Sequence, residues 1–362
     1  MDASIIIIYI LVFFAILGAI DKILGNRFGL GKKFEEGILA LGPLAIAMLG
    51  IIFLAPVIAT LLKPILVPVY GLVGADPSMF AATLLANDMG GYSLATSLAL
   101  NAQAGLLAGL ILGSMMGATI VFTIPVALGI IKKQDHRYLA LGVLFGMITI
   151  PLGFLVGGIA AGFDMMLILV NLVPITIISL IIILGLWKIP ELMIKIFIWF
   201  GKLIIVLSTL GIVAMIVQVL TGFVVIPGMT PFLEGLRIIG TIALLLAGAF
   251  PALYLITRYL KRPLAALGKK IRISATATAG LIATLANNIP MFGLFKDMDS
   301  RGKVMNVAFA VSASFILGDH LAFTAAVHKE MILPVIAGKL VAGITALILA
   351  GILFSKFDKK KY

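Results

Sequence analysis

Eleven apolar stretches, each 18 residues or longer, follow one another along this chain with little between them. They cover roughly 3–20, 37–62, 77–100, 104–131, 138–162, 165–187, 196–220, 238–260, 273–295, 304–327 and 332–354. A run of that length with few charges can cross the hydrocarbon core of a bilayer as a helix. Because every backbone N–H and C=O at that depth needs a partner, helices are the natural solution for such runs. The chain therefore reads as an all-α polytopic membrane protein. Its 362 residues are 62% hydrophobic and only 12% charged, with mean hydropathy +1.24; soluble domains carry about 25% charged residues. No hydrophilic domain or polar linker interrupts the series. The net charge of +12 is spread over short loops, as topology determinants are, and is not gathered into a nucleic-acid patch. Zero cysteines exclude disulfides, thiolate metal sites and a cysteine nucleophile. The first stretch has no basic residue ahead of it and no small-residue cleavage signal, so it reads as a retained helix and not a signal peptide.

The lysines and arginines decide how many stretches cross. If all eleven did, the two faces would hold 12 and 14 of the 27 basic residues, against the positive-inside bias. If 77–100 and 273–295 instead enter and leave on one side, Lys22, Arg27, Lys32, Lys33, Lys132, Lys133, Arg137, Lys188, Lys195 and Lys202 share a face. Arg258, Lys261, Arg262, Lys269, Lys270, Arg272, Lys296, Arg301, Lys303, Lys356, Lys359, Lys360 and Lys361 join them. Only Lys63, Arg237 and Lys329 stay opposite, and Lys339 falls inside a helix. The expectation is nine spanning helices plus two re-entrant hairpins, with the basic loops and C-terminus cytoplasmic and the N-terminus outside. Eleven spanning helices, two of them broken, is the alternative.

Both hairpins have helix-breaking chemistry at their tips. In the first, Asp76-Pro77-Ser78 reads as an N-cap with proline at the first helical position. The chain then reaches Asn87-Asp88-Met89-Gly90-Gly91, where adjacent glycines each weaken a helix by about 1 kcal/mol relative to alanine. In the second, Asn287-Asn288-Ile289-Pro290 interrupts the helix. Gly90, Gly91 and Pro290 are the expected unwound positions. Non-helical backbone at membrane depth is tolerated only when buried in protein or facing a water-filled cavity.

An internal repeat points the same way. Ala86-Asn87-Asp88 matches Ala286-Asn287-Asn288, and Gly117-Ala118-Thr119-Ile120-Val121-Phe122-Thr123 matches Gly318-Asp319-His320-Leu321-Ala322-Phe323-Thr324. Lys63-Pro64 matches Arg262-Pro263, Glu36-Gly37 matches Glu234-Gly235, and Gly142-Val143-Leu144 matches Gly338-Lys339-Leu340, all at offsets of 196 to 201. The expected organisation is a first repeat over 1–162 with hairpin 77–100, a connecting helix and loop over 163–195, and a second repeat over 196–362 with hairpin 273–295. Inverted repeats with paired broken segments near the midplane are a signature of secondary transporters.

An ionisable group at membrane depth costs about 2.5–3.5 kcal/mol on insertion scales and is a functional candidate by default. Asp88 is the foremost; as a cap for the following half-helix, serine or asparagine would serve at lower desolvation cost. Asp319 and His320 lie midway along 304–327, and Asn287 and Asn288 offer acceptors and donors at the second tip. Asn87, Thr119, Thr123 and Thr324 complete the candidate substrate site, although threonines also serve as helix–helix contacts. Lys339 reads as a snorkelling side chain. Glu35, Glu36 and Glu234 read as helix-start anions, and the methionines as packing. With three histidines in all (His136, His320, His328), no metal-protease or phosphate-loop pattern forms. The chain is therefore not expected to be an enzyme. An intramembrane enzyme using Asp319 and His320 on a lipid or small alcohol is the remote alternative. Carboxylates among amides suit a small cation that also carries a hydrogen-bonding group.

Several runs carry a more specific signal: Phe34-Glu35-Glu36-Gly37, Gly74-Ala75-Asp76-Pro77-Ser78-Met79-Phe80-Ala81, Asn87-Asp88-Met89-Gly90-Gly91 and Leu110-Ile111-Leu112-Gly113-Ser114-Met115-Met116-Gly117. With them stand Thr119-Ile120-Val121-Phe122-Thr123-Ile124-Pro125-Val126-Ala127-Leu128-Gly129-Ile130-Ile131 and Arg137-Tyr138-Leu139-Ala140-Leu141-Gly142-Val143. Over most of its length, most densely from Phe34 to Gly153, the chain resembles the EutH-type ethanolamine permease family. The resemblance implies a multi-pass protein of the bacterial cytoplasmic membrane that imports ethanolamine for catabolism. The expectation is alternating access, with ethanolamine or a similar small amino alcohol held between the hairpin tips and 304–327. The alternative is an ion-coupled carrier of another small polar metabolite. Membrane lipids are the other expected partners and nucleic acid is not one. No cofactor is expected; coupling to H⁺ or Na⁺ and a homo-oligomeric state are left open by the residues.

Overall fold

The computed structural model describes residues 3–358, which are almost wholly helical and contain no strand. The tail lysines Lys359, Lys360 and Lys361, counted above on the cytoplasmic face, lie outside the described residues. Helices α1 (Ala3–Ile23), α2 (Leu30–Leu39) and α3 (Leu41–Gly71) come first. The turn between α1 and α2 is organised by Asp21, whose buried carboxylate accepts from the N–H groups of Phe28, Leu30 and Gly31 at 3.0, 2.8 and 2.9 Å. Two short helices follow, α4 (Ser78–Leu84) and α5 (Tyr92–Leu98). Then come α6 (Ala102–Ile130), α7 (His136–Ala160), α8 (Met165–Lys188), α9 (Pro190–Thr221) and α10 (Phe232–Lys270). The chain closes with α11 (Ala275–Thr284), α12 (Asn288–Leu294), α13 (Ser300–Ala313), α14 (Asp319–Val327) and α15 (Ile332–Asp358).

Eight helices among the described residues are long and apolar enough to cross a membrane, the second of them running through α2 and α3 as 42 residues. They differ in what surrounds them. In the most apolar 18-residue window of α6, 94% of residues are buried, against 22% in α1, 33% in α8 and 28% in α9. Helix α6 is thus the centre of the bundle, while α1, α8 and α9 turn Phe13, Ile16, Leu180, Ile181, Trp199 and Ile205 outward. An apolar exterior of that extent suits lipid and not water.

The segments 77–100 and 273–295 each fold back on themselves. At the base of the first, Asp76 Oδ1 accepts from Ser78 N–H at 2.9 Å, as a helix-start carboxylate should, and Oδ2 accepts from Leu100 and Asn101 N–H at 3.0 and 2.9 Å. One carboxylate thereby ties the entry of α4 to the exit of α5. At the base of the second, Asp299 accepts from Ser274 N–H at 2.8 Å and from Gly302 N–H at 3.0 Å, joining the start of α11 to the start of α13.

Three expectations are corrected. The stretch 304–327 is not one helix: it breaks between α13 and α14, with Phe315 in left-handed conformation at φ 61°. Glu35 and Glu36 do not start a helix but sit inside α2, paired with Lys22 and Lys33. Glu234 does lie in the first turn of α10. Pro290 is not unwound; it occupies the first turn of α12, where its missing N–H has no helical partner to lose.

Candidate functional site

Three breaks converge beside α6. In the first tip the chain leaves α4 through extended residues Leu85 and Ala86, and Gly90 takes φ 87°. A side chain there is excluded twice over, because a Cβ would also meet Ile51 Cγ2 at 2.0 Å. Gly91 already has helical angles and leads into α5. No side chain caps that helix; the Asp88 carboxylate accepts from the backbone N–H groups of Asp88 and Met89 at the start of the tip. A Cβ on Gly117 would meet Leu85 O at 1.9 Å, so α6 needs glycine to pass the first break. The matched Gly318 stands in the same relation to the second break, where a Cβ would meet Ala286 O at 2.3 Å.

The second and third breaks satisfy each other's backbone. Phe315 N–H donates to Thr284 O at 3.1 Å and Leu317 N–H to Leu285 O at 2.9 Å. These bonds provide partners for amides that the interrupted helix leaves free. Phe315 also packs edge-on to Phe122 and lies 4.8 Å from the His320 ring.

The predicted residues divide into those that meet and those that do not. Asp88 Oδ1 lies 3.8 Å from His320 Nε2. Asn288 Nδ2 donates to Thr123 Oγ1 at 2.9 Å, so the second tip reaches α6. Asn87 is fully buried, and neither its amide nitrogen nor its oxygen has a protein partner; Asn288 Oδ1 and Thr284 Oγ1 are likewise buried and unbonded. Unpaired polar atoms at this depth are the ones a polar ligand can satisfy. Asn287, by contrast, accepts from Ile289 N–H at 2.8 Å and caps α12. Thr119 donates to Met115 O at 2.8 Å and Val311 O at 2.9 Å, binding α6 to α13, and Thr324 donates to His320 O within α14.

Asp319 and His320 are sequence neighbours with different surroundings. Asp319 faces a cavity of about 340 Å³ together with Asn287, Ala286, Phe250, Tyr254, Lys33 and Glu36. His320 is buried and points between Asp88 and Lys339. A larger cavity of about 580 Å³ beside Met89 is lined mostly by apolar residues of α6 and α9, so of the two it is the smaller that reaches Asp319 and Asn287.

Lys339 does not snorkel. Its side chain is fully buried; Nζ donates to Ser114 O and lies 3.1 Å from His320 Nδ1. The sequence held a signal for this. Val335, Lys339, Ala342, Ala346 and Ala350 recur at helical spacing along α15, and all five are buried. The lysine lies on the inward stripe of its helix.

These features define a class: an all-α polytopic membrane protein with a buried, charged polar site where three helices break. The chain belongs to the family described as "Ethanolamine utilisation protein, EutH", which it matches over residues 3–353. It is 59% identical over 360 residues to the probable ethanolamine permease EutH of Listeria monocytogenes, covering 99% of this chain and 96% of that one. It is 48% identical over 391 residues to the protein of the same name in Escherichia coli, covering 98% and 96%. To the uncharacterized protein YxeR of Bacillus subtilis it is 51% identical over 340 residues, covering 94% and 92%. No solved structure matches the chain.

Proposed function

We propose that this protein is a permease that carries ethanolamine across the bacterial cytoplasmic membrane, binding it as the ammonium ion between the hairpin tips and the break at 314–318. The observation that carries the reading is the buried cluster itself: Asp88, with Asp319 within electrostatic reach of it, among amide groups without protein partners. A carboxylate in a site of low dielectric attracts an ammonium strongly, and amides suit the hydroxyl. The relatives named as ethanolamine permeases supply the identity of the cargo.

Alternating access is the mechanism we infer. The cavity that reaches Asp319 has Lys33 and Glu36 at its rim, on the face that the basic loops assign to the cytoplasm, so this geometry corresponds to an inward-directed state. The clamped bases at Asp76 and Asp299 support hairpins whose ends lie together, and the division of the basic residues supports their entry from opposite faces. Each tip touches the other half, through Asp88 to His320 and Asn288 to Thr123, as an inverted repeat requires.

The test is uptake of labelled ethanolamine into proteoliposomes at acidic pH, where the amine is charged and does not leak across lipid. Proton and sodium gradients are imposed separately, and choline, amino acids and nucleosides compete. Uptake no faster than in protein-free vesicles would refute the reading. Uptake independent of both gradients would identify facilitated diffusion.

A further inference from the structure

Where α10 gives way to α11, a groove of about 270 Å³ opens beside the base of the second hairpin. Lys270 and Arg272 from that turn and Arg301 from the first turn of α13 line it, together with Leu347, Ile348 and Ile352 of α15. No carboxylate lines the groove, and none of its three cations forms an ion pair among the described residues. Arg301 Nε is buried without a partner among those residues, and its guanidinium lies against α15, where a Cβ on Gly351 would stand 3.3 Å from Nη2. A buried donor on a permanently charged group calls for an acceptor. Ile348 and Ile352 are 55% and 64% exposed on a helix apolar enough to cross the membrane, so the apolar side of the groove opens on lipid. Neither arginine is explained by its local backbone. Arg301 is the second residue of α13, where the macrodipole disfavours a cation. Arg272 takes φ 61°, a left-handed conformation that side chains other than those of asparagine and aspartate rarely adopt. An anion shared between them accounts for both.

We propose that this groove holds an anionic phospholipid, its phosphate among Lys270, Arg272 and Arg301 and an acyl chain along Leu347, Ile348 and Ile352. Guanidinium groups bind phosphate oxygens through paired hydrogen bonds, and basic pockets between transmembrane helices recur as sites for lipid headgroups. A free phosphate would satisfy the cations and leave the apolar wall uncovered. The site also bears on the hairpin. Arg272 precedes Ser274 by two residues and Arg301 immediately precedes Gly302, and the N–H groups of Ser274 and Gly302 both donate to Asp299. A headgroup bridging the two arginines therefore reinforces the clamp at the hairpin base. The inference is independent of what the protein carries.

The full-length protein, purified in detergent, is titrated with phosphatidylglycerol, with phosphatidylcholine of the same acyl chains, and with glycerol phosphate, while its melting temperature is followed. Phosphatidylglycerol is expected to raise it by about 2 °C or more, and each of the others by less than about half as much. A shift from phosphatidylcholine or from glycerol phosphate as large as that from phosphatidylglycerol would overturn the proposal, the latter by assigning the groove to a free phosphate. The pair Arg272→Gln and Arg301→Gln is expected to lose at least about half of the phosphatidylglycerol shift. The pair Lys188→Gln and Lys195→Gln, which removes two exposed cations elsewhere on the basic face, is expected to keep it. A full shift in the first pair, or as large a loss in the second, would overturn the proposal. Should Arg301→Gln fail to fold, Lys270→Gln with Arg272→Gln, in the exposed turn, replaces the first pair under the same two outcomes.

Discussion

At the first hairpin tip Ala86-Asn87-Asp88 is followed by two glycines; at the second, Ala286-Asn287-Asn288 is followed by isoleucine and proline. The shared asparagines do opposite things. Asn87 is buried with both amide atoms unbonded, whereas Asn287 spends its oxygen on the N–H of Ile289. The third position differs in charge: Asp88 approaches His320, and Asn288 donates to the hydroxyl of Thr123. The first tip is held open by Gly90, pressed against Ile51; the second is stitched by two backbone bonds to the break at 314–318. One tip thus carries a carboxylate beside a wholly unbonded side-chain amide, and the other carries no carboxylate and is tied by hydrogen bonds to α6 and to the third break. On the transport reading proposed above, ligand binding falls chiefly to the first tip and positioning to the second.

Breaking the charge asymmetry gives the largest effect expected. Asp88→Asn makes the tips alike and should lower ethanolamine uptake about 100-fold or more, since losing one partner of a buried charged pair costs roughly 2–5 kcal/mol. Equal amounts of protein in the membrane, measured on immunoblots, would confine the loss to function, and wild-type uptake would remove Asp88 from the site. Gly90→Ala comes next. Left-handed backbone with a Cβ costs about 1–2 kcal/mol, and contact with Ile51 adds to it. A lower melting temperature in detergent that Ile51→Ala restores only in part is the expected result. Asn288→Ala and Thr123→Val should each cost about 1 kcal/mol, and a double variant no worse than either single one would show that they share that bond. Pro290→Ala should matter least, changing uptake less than about twofold, because proline in a first turn forfeits no helical bond.

How far the sequence foretold this follows from what each residue signals locally. The two fold-backs were legible because Asp76-Pro77-Ser78, Gly90-Gly91 and Asn287-Asn288 punctuate apolar runs. The break at 314–318 was not. Its only local mark is Gly318, and the reason for it is the carbonyls of Thr284 and Leu285, some thirty residues away. Lys339 was misread for a related reason. Distance from a helix end says whether a lysine can snorkel, but only the phase of the buried stripe on α15 says which way it points. For the threonines, the residue type left open the choice between lining a cavity and bonding a helix; the carbonyls of Met115, Val311 and His320 decide it for Thr119 and Thr324.

The bonds from Phe315 and Leu317 to the end of α11 have a mechanical consequence. Two chain segments that supply each other's missing partners in a medium without water cannot slide apart piecemeal, since each ruptured link would strand a donor and an acceptor in hydrocarbon. In the alternating access proposed above, the end of α11 and the α13–α14 elbow would therefore move together, with Asp319 travelling on them.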